Sequence, residues 1–427
     1  MTRVPSIVST LRMVTAAAIV GAPWLVRHGA PTATSAQARV ILFRSAAIAL
    51  AVDPRTGRAF VALEPARARA TLAEVALVDV RRGVLRTVAV GLNPVAVAID
   101  ARTRRVFVSC SGPLRPDGYE SRGYGSVAVL DADTGRLLRT ERGVHYPVEL
   151  TVDKASGRVF VLNLHRVLDS ADQGLTPVNR DTLAVLDARD GRLLRTLAPG
   201  APGADNYPAL GVDEALGRAF LFLEDGRVLA LDATTGATLG TTRIPFADQY
   251  DYFTLFVDRS RHRVVVSGTG NDPAFVTLID GRTGRIAVDE GPPPEVEHGL
   301  IDAVDGVHGR AVFVDAYHGG AREYSTESAY VLNTGTGRVV GTVSLGSARV
   351  GTAQPEVVAV DEGAGRVYIR TTGGLAAVDD RDGRVLRQVP LRIAPYAMAA
   401  DVRARSLLLL SNVGPATGMT VLDTSHL

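Results

Sequence analysis

The chain reads as an all-β protein built by repetition. Three observations predict this: one strand-turn-strand phrase is copied along nearly its whole length, Asp and Gly recur at fixed offsets in the turns, and no sustained 3.6-residue apolar period appears after residue 38. The phrase is a short apolar run ending in Asp, a turn, then a second apolar run. Its copies are AVDPRTGRAFVA from Ala51, AIDARTRRVFVS from Ala98, TVDKASGRVFVL from Thr151, GVDEALGRAFLF from Gly211 and FVDRSRHRVVVS from Phe256. AVDGVHGRAVFV from Ala303, AVDEGAGRVYIR from Ala359 and AADVRARSLLLL from Ala399 complete the set. The landmark aspartates are Asp53, Asp100, Asp153, Asp213, Asp258, Asp305, Asp361 and Asp401, recurring at a period of about fifty residues, which marks an array.

A second phrase follows many of the copies, as in SVAVLDADTGRLLRT from Ser126, TLAVLDARDGRLLRT from Thr182 and RVLALDATTGATLGT from Arg227. It is again strand, Asp-containing turn, strand. A turn Asp accepts hydrogen bonds from backbone N–H groups two residues on and Gly tolerates positive φ, so these motifs are hairpin punctuation with a mechanism. Eight copies of one acid exceed what a single active site needs, and the aspartates are accordingly read as turn-formers.

Each unit then holds four strands, exemplified by Val95 to Ile99, Val106 to Ser109, Val127 to Leu130 and Leu137 to Thr140. Four-stranded units at this period pack radially, burying apolar faces between neighbouring sheets and protecting strand edges. The prediction is a β-propeller of eight blades, with seven as the alternative if one degenerate copy is not a full blade. The last copy stops at Val421 to Thr424 and lacks a fourth strand, while Arg39 to Arg44 is a strand candidate without a unit. Pairing the two would close the ring through the chain ends.

Residues 1–38 carry Arg3 and Arg12, an apolar run from Met13 to Val26, and a polar stretch ending in Ala36-Gln37-Ala38. This is the pattern of a secretory signal, or of an uncleaved N-terminal anchor, and leaves residues 39–427 as one propeller domain. The expected location is extracytoplasmic: secreted, periplasmic or on the cell surface. Cys110 is the one cysteine and excludes an intrachain disulfide or a multi-cysteine metal site; it is read as a small buried hydrophobe. The 47 basic and 45 acidic residues nearly cancel, and Arg3, Arg12 and Arg27 stand in the acid-free leader. No cationic footprint for nucleic acid remains, and membrane contact is expected only through the N-terminal segment.

The stretch VGLNPVAVAIDARTRRVFVSC followed by SVAVLDADTGRLLRT resembles the YVTN-type, YncE-like propeller repeat, over nearly the whole chain after Ala38. The resemblance implies a propeller and leaves activity open, because related repeats serve in periplasmic binding proteins, surface-layer proteins and redox-enzyme subunits. Seven blades are usual there, against the eight counted here. Eight blades and the phrase LDATTG also resemble pyrroloquinoline-quinone propellers, but these carry a repeated tryptophan where this chain has Leu138, Leu194 and Leu239. The one tryptophan, Trp24, lies in the leader, which argues against that cofactor.

In such a ring the two tight turns of each unit share one face and the variable connections share the other, where function is usually placed. Ser111 to Gly125, Asn163 to Asp181, Gly268 to Ala274 and Asp315 to Ser328 are the variable loops. The segments leading into the innermost strands supply the candidate ligand-binding residues of the channel mouth: Asn93, His145, Tyr146, Tyr207, Asp251, Tyr252, His298, Gln354 and Tyr396. Polar and aromatic groups around a concave mouth suit a small polar ligand or a peptide. No metal, cofactor or catalytic residue is predicted: ligand spacings such as H-x-x-x-H, a G-x-S-x-G elbow and phosphate-binding glycine loops are all missing. His262 and His308 fall in tight turns of the opposite face and are read as structural, and Asp379-Asp380 as a turn pair. The expected function is therefore an exported, non-catalytic propeller binding a small ligand or partner protein at the variable rim. The alternatives are a lactonase-like metal-dependent hydrolase or redox-enzyme subunit, and a cell-surface adhesion module.

Overall fold

A computed structural model of the chain describes residues 39–64, 72–112, 125–164, 166–168, 177–179, 182–198, 209–223, 225–245, 247, 250–270, 274–290, 300–315, 324–349, 358–371, 373–391, 393, 395–413 and 416–425. The leader expected over residues 1–38 lies outside the described residues. Eight four-stranded antiparallel sheets form the blades of a β-propeller. In chain order the first seven blades span residues 47–89, 94–141, 147–197, 209–243, 250–290, 300–349 and 358–390. The eighth joins Pro395–Asp401, Ser406–Val413 and Ala416–Asp423 to Arg39–Phe43.

That last pairing closes the ring. Arg39–Phe43 runs antiparallel to Ala416–Asp423 in a register from Arg39 opposite Val421 to Phe43 opposite Thr417. Innermost strands touch their successors all the way round, including Pro395–Asp401 against Ala47–Val52. Burial follows radial position. Innermost strands such as Pro94–Asp100 are half-buried, second and third strands such as Ala59–Leu63 and Ser126–Asp131 are buried almost throughout, and outer strands such as Val385–Pro390 are largely exposed.

The apolar core is correspondingly a ring of layers, each between two neighbouring blades. Phe60, Val75, Val106, Val108 and Leu130 fill the layer between blades one and two. Ile41, Phe43, Val61, Leu408, Leu410 and Met419 fill the closing layer between blades eight and one. Phe60, Phe107, Phe160, Phe220 and Tyr368 share one position in the repeat and are at most 2% exposed. Removing one such ring would cost roughly 3–5 kcal/mol, since the neighbouring blade cannot collapse into the gap.

The expected loops are partly regular structure. Within 163–181, Arg166–Leu168 pairs with Pro177–Asn179 as a small hairpin. The sixth blade's third and fourth strands, Tyr324–Asn333 and Val339–Arg349, continue well past the rim, so Tyr324 to Ser328 belong to a strand and not to a loop. The sequence Ser325-Thr326-Glu327-Ser328 is an unbroken polar run without apolar alternation, and such a run does not announce a strand.

Candidate functional site

Antiparallel order within each blade sends the first and third connections to one face and the second and fourth to the other. On the first face the connections are uniformly short, from 80–82 to 53–58. On the second they range from 414–415 to the long segments 111–125 and 164–181. The propeller thus has a fixed face and a variable face.

On the fixed face all eight landmark aspartates are buried. One carboxylate oxygen of each caps its own turn. Asp53 accepts from the N–H of Arg55 at 2.9 Å, Asp153 from Ala155 at 2.9 Å and Asp258 from Ser260 at 2.9 Å. The turn arginines then bridge blades through backbone carbonyls. Arg58 donates to Asp133 O at 2.6 Å, Arg105 to Arg189 O at 3.0 Å, Arg218 to Gly281 O at 2.6 Å and Arg310 to Asp380 O at 3.1 Å.

The surroundings of the second oxygen differ from blade to blade. Thr56 and Thr103 donate to Asp53 and Asp100 from within their own turns, at 2.7 and 2.8 Å. His262 of the fifth blade reaches Asp213 of the fourth, with Nδ1 2.7 Å from Oδ2. The hydroxyl of Thr334, in the sixth blade, donates to Asp258 in the fifth. Asp153 and Asp401 keep one oxygen without a hydrogen-bond partner.

At the seam between blades six and seven this position gathers three titratable groups, Asp305, His308 and Asp380, whose ligand-type atoms all lie within 4.8 Å of one another. Asp305 Oδ1 accepts from the N–H groups of Val307 and His308, both at 2.8 Å. His308 Nδ1 stands 3.0 Å from Asp305 Oδ2 and 3.2 Å from Asp380 Oδ2. Asp380 is 0% exposed, while the His308 side chain is 31% exposed. Burial, reinforced by the hydrogen bond to Asp305 and its charge, pushes the Asp380 carboxyl up to about 6. Burial also works to raise Asp305, but its bonds to Asp380, to His308 and to the turn N–H groups outweigh that and hold it below the usual carboxylate range. The hydrogen bond to Asp305 raises His308 above an ordinary imidazole, against the desolvation that would lower it.

Sequence reading placed His308 and Asp380 among structural turn groups and did not join them. The signal was present in the repeat columns: the residue after the outer turn Asp or Asn is Val80, Ala132, Ala188, Ala233, Gly281, Thr334 or Thr424 in the other blades, and only here a carboxylate. That this column faces the landmark aspartate of the preceding blade is tertiary information.

The residues nominated for the channel mouth are placed as follows. Asn93 and Tyr146, each just before a proline, adopt φ of 50° and 41°, a left-handed backbone that non-glycine residues rarely take. Asn93 Nδ2 donates to Ser111 Oγ at 2.6 Å. Tyr146 is buried in the layer between blades three and four, whereas His145 beside it is exposed. The Tyr396 hydroxyl donates to Ala47 O at 2.9 Å, joining the eighth blade to the first, and burial raises its pKa above that of a free phenol. Asp251 sits at a register break between Tyr250 and Tyr252, and Tyr396 at one between Pro395 and Ala397; such bulges re-aim the strand at the rim. Tyr207, His298 and Gln354 lie outside the described residues.

Cys110 is wholly buried and its thiol is pushed up to about 12 by desolvation, so it is no thiolate nucleophile at neutral pH. A fixed-face cleft of about 630 Å³ at the closing seam is bordered by Arg55, Arg58, Arg81, Arg403 and Asp401. Arg55 is already paired with Asp133, Arg58 with the Asp133 carbonyl and Arg403 with the Arg55 carbonyl.

No family model matches the chain, and no curated protein matches it. Among solved structures, the crystal structure of the computationally designed Ika8 protein is similar with a TM-score of 0.58 and 19% identity, covering 90% of this chain and 97% of that one. Sqt1 of Saccharomyces cerevisiae gives 0.61 and 10% identity, over 91% of this chain and 99% of its own. At these identities the likeness shows the propeller fold alone.

Proposed function

We propose that this chain is an exported, non-catalytic propeller of the YVTN-type, YncE-like pattern, holding a small polar ligand or a partner protein at its variable rim. The observation that carries the reading is the asymmetry of the two faces: short Asp-capped turns on one, connections of widely differing length on the other. A rigid ring that varies only at one crown is suited to recognition. The one group of imidazole and carboxylates at ligating distance among the described residues lies on the fixed face, away from that crown. A catalytic rim therefore has no support from it.

The test is a thermal-shift screen of polar metabolites and short peptides against three proteins: the wild-type chain, a variant whose 113–124 segment is cut to a two-residue turn and which also carries His145→Ala, and a fixed-face Arg218→Ala variant. Ligands that raise Tm for the first and third but not the second support rim binding. A ligand whose effect survives the rim changes and disappears with Arg218→Ala sinks it. Fusion of residues 1–38 to a reporter active only outside the cytoplasm tests export.

A further inference from the structure

We propose that the seam between the sixth and seventh blades binds one divalent transition-metal cation of the zinc class, held by Asp305 Oδ2, His308 Nδ1 and the carboxylate of Asp380. This goes beyond the rim reading and does not depend on it. A tetrahedral centre with bonds of about 2.0–2.1 Å sets its ligand atoms roughly 3.3 Å apart. The observed separations are 3.0 Å from His308 to Asp305 and 3.2 Å from His308 to Asp380.

The second observation is the state of Asp380. It is completely buried, and with both acids ionised neither of its carboxylate oxygens has a donor; only a proton shared with Asp305 would bond it. His308 cannot supply one, because Nδ1 carries a single hydrogen and its bond goes to Asp305 Oδ2. Two buried carboxylates facing each other are costly when both are ionised, and a dication neutralises both acids while leaving the imidazole neutral.

The surroundings hold the three groups in place, as metal ligands require. The turn N–H groups fix Asp305 through Oδ1 and leave Oδ2 facing inward. Asp380 is fixed by its backbone, its N–H donating to Gly365 O at 3.1 Å and its carbonyl accepting from Arg310 Nε at 3.1 Å. A Cβ on Gly365 would come within 3.2 Å of Asp380 Oδ1 and 3.5 Å of His308 Cε1, so glycine leaves the space beside the cluster open. The partial exposure of His308 gives an ion its way in. One nitrogen and two carboxylates suit zinc better than magnesium, which prefers oxygen ligands and keeps its waters. Bound there, the cation would act as a staple between two blades and need not take part in chemistry.

The full chain, stripped with a chelator and dialysed, is titrated with Zn²⁺ alone in a calorimeter, and its thermal unfolding is followed with Zn²⁺ or Mg²⁺. The expected result is one Zn²⁺ per chain, a rise in Tm with Zn²⁺ and none with Mg²⁺, and affinity that weakens as pH falls from 8 to 5.5 because protons compete for the same atoms. Asp380→Asn and His308→Ala should each weaken binding by about tenfold or more. His262→Ala, at the seam between blades four and five, should leave it unchanged; circular dichroism checks that each variant keeps its sheet. Absence of binding to the wild-type chain at about 1 mM Zn²⁺ overturns the proposal. So does stoichiometric binding that survives both Asp380→Asn and His308→Ala, which would place the ion elsewhere.

Discussion

The seams on either side of the sixth blade solve one problem in opposite ways. Between blades five and six, the buried Asp258 accepts a hydrogen bond from the Thr334 hydroxyl, so the charge is met by a neutral donor that is itself only 1% exposed. Between blades six and seven, Asp380 takes the place of that threonine and brings a second acid against Asp305, with His308 wedged between them. Arg261, the counterpart of His308, stays at 3.5 Å from Asp258 and is only partly exposed. The first seam holds a single acid with a hydroxyl donor for it. The second depends on how many protons, or which cation, the trio holds.

The largest expected effect breaks the first seam. Asp258→Ala removes the cap on the Ser260 and Arg261 N–H groups and strands Thr334, and should lower stability by about 3 kcal/mol in denaturant unfolding at pH 7. An undiminished midpoint would mean that the aspartate is not needed as a cap. Next comes Thr334→Asp, which imports the second acid without an imidazole. A loss of roughly 2 kcal/mol at pH 8, shrinking as the pH is lowered and one carboxyl takes a proton, is expected from the same measurement.

The reverse exchange, Asp380→Thr in chelator-treated protein, should stabilise. Asp380 titrates at about 6 when folded, above the ordinary 3.8, so it binds its proton more tightly in the folded state. Its favourable contribution is complete below the ordinary carboxylate range and is lost as pH rises through 6. Replacing it is therefore worth about 1–2 kcal/mol at pH 8 and nothing at pH 3.5, and Tm against pH should flatten between pH 5 and 7. The smallest effect is that of His308→Gln. Its raised imidazole pKa stabilises the fold fully below 6.5 and ceases to do so as pH climbs through the folded value. The substitution should cost about 0.5–1 kcal/mol at pH 5.5 and less at pH 9, a modest figure because the side chain is partly solvated.

Much of the architecture was legible because it repeats. Eight landmark aspartates counted eight blades, the missing fourth strand after Val421 matched the spare strand at Arg39, and the Asp-x-x-x-Gly spacing marked the capped turns. Less was legible where pattern was weak, as in the polar strand at Tyr324 to Ser328 and the hairpin within 163–181. The arginine after each turn glycine was visible as a motif, but its partner, a carbonyl in the next blade, was not. Nor could the sequence show that Tyr396 spends its hydroxyl on Ala47 rather than on the open channel, for the two residues are 349 positions apart.

By itself the sequence determined what is local or repeated: strand period, turn chemistry and blade number follow from spacing within about fifty residues, and ring closure from an incomplete last copy matched by a spare strand at the start. Only the tertiary structure decided which turn column of one blade meets which column of the next. Asp305 and Asp380 each read as an ordinary turn residue, and they become a site because radial packing excludes water from both and sets them around one imidazole.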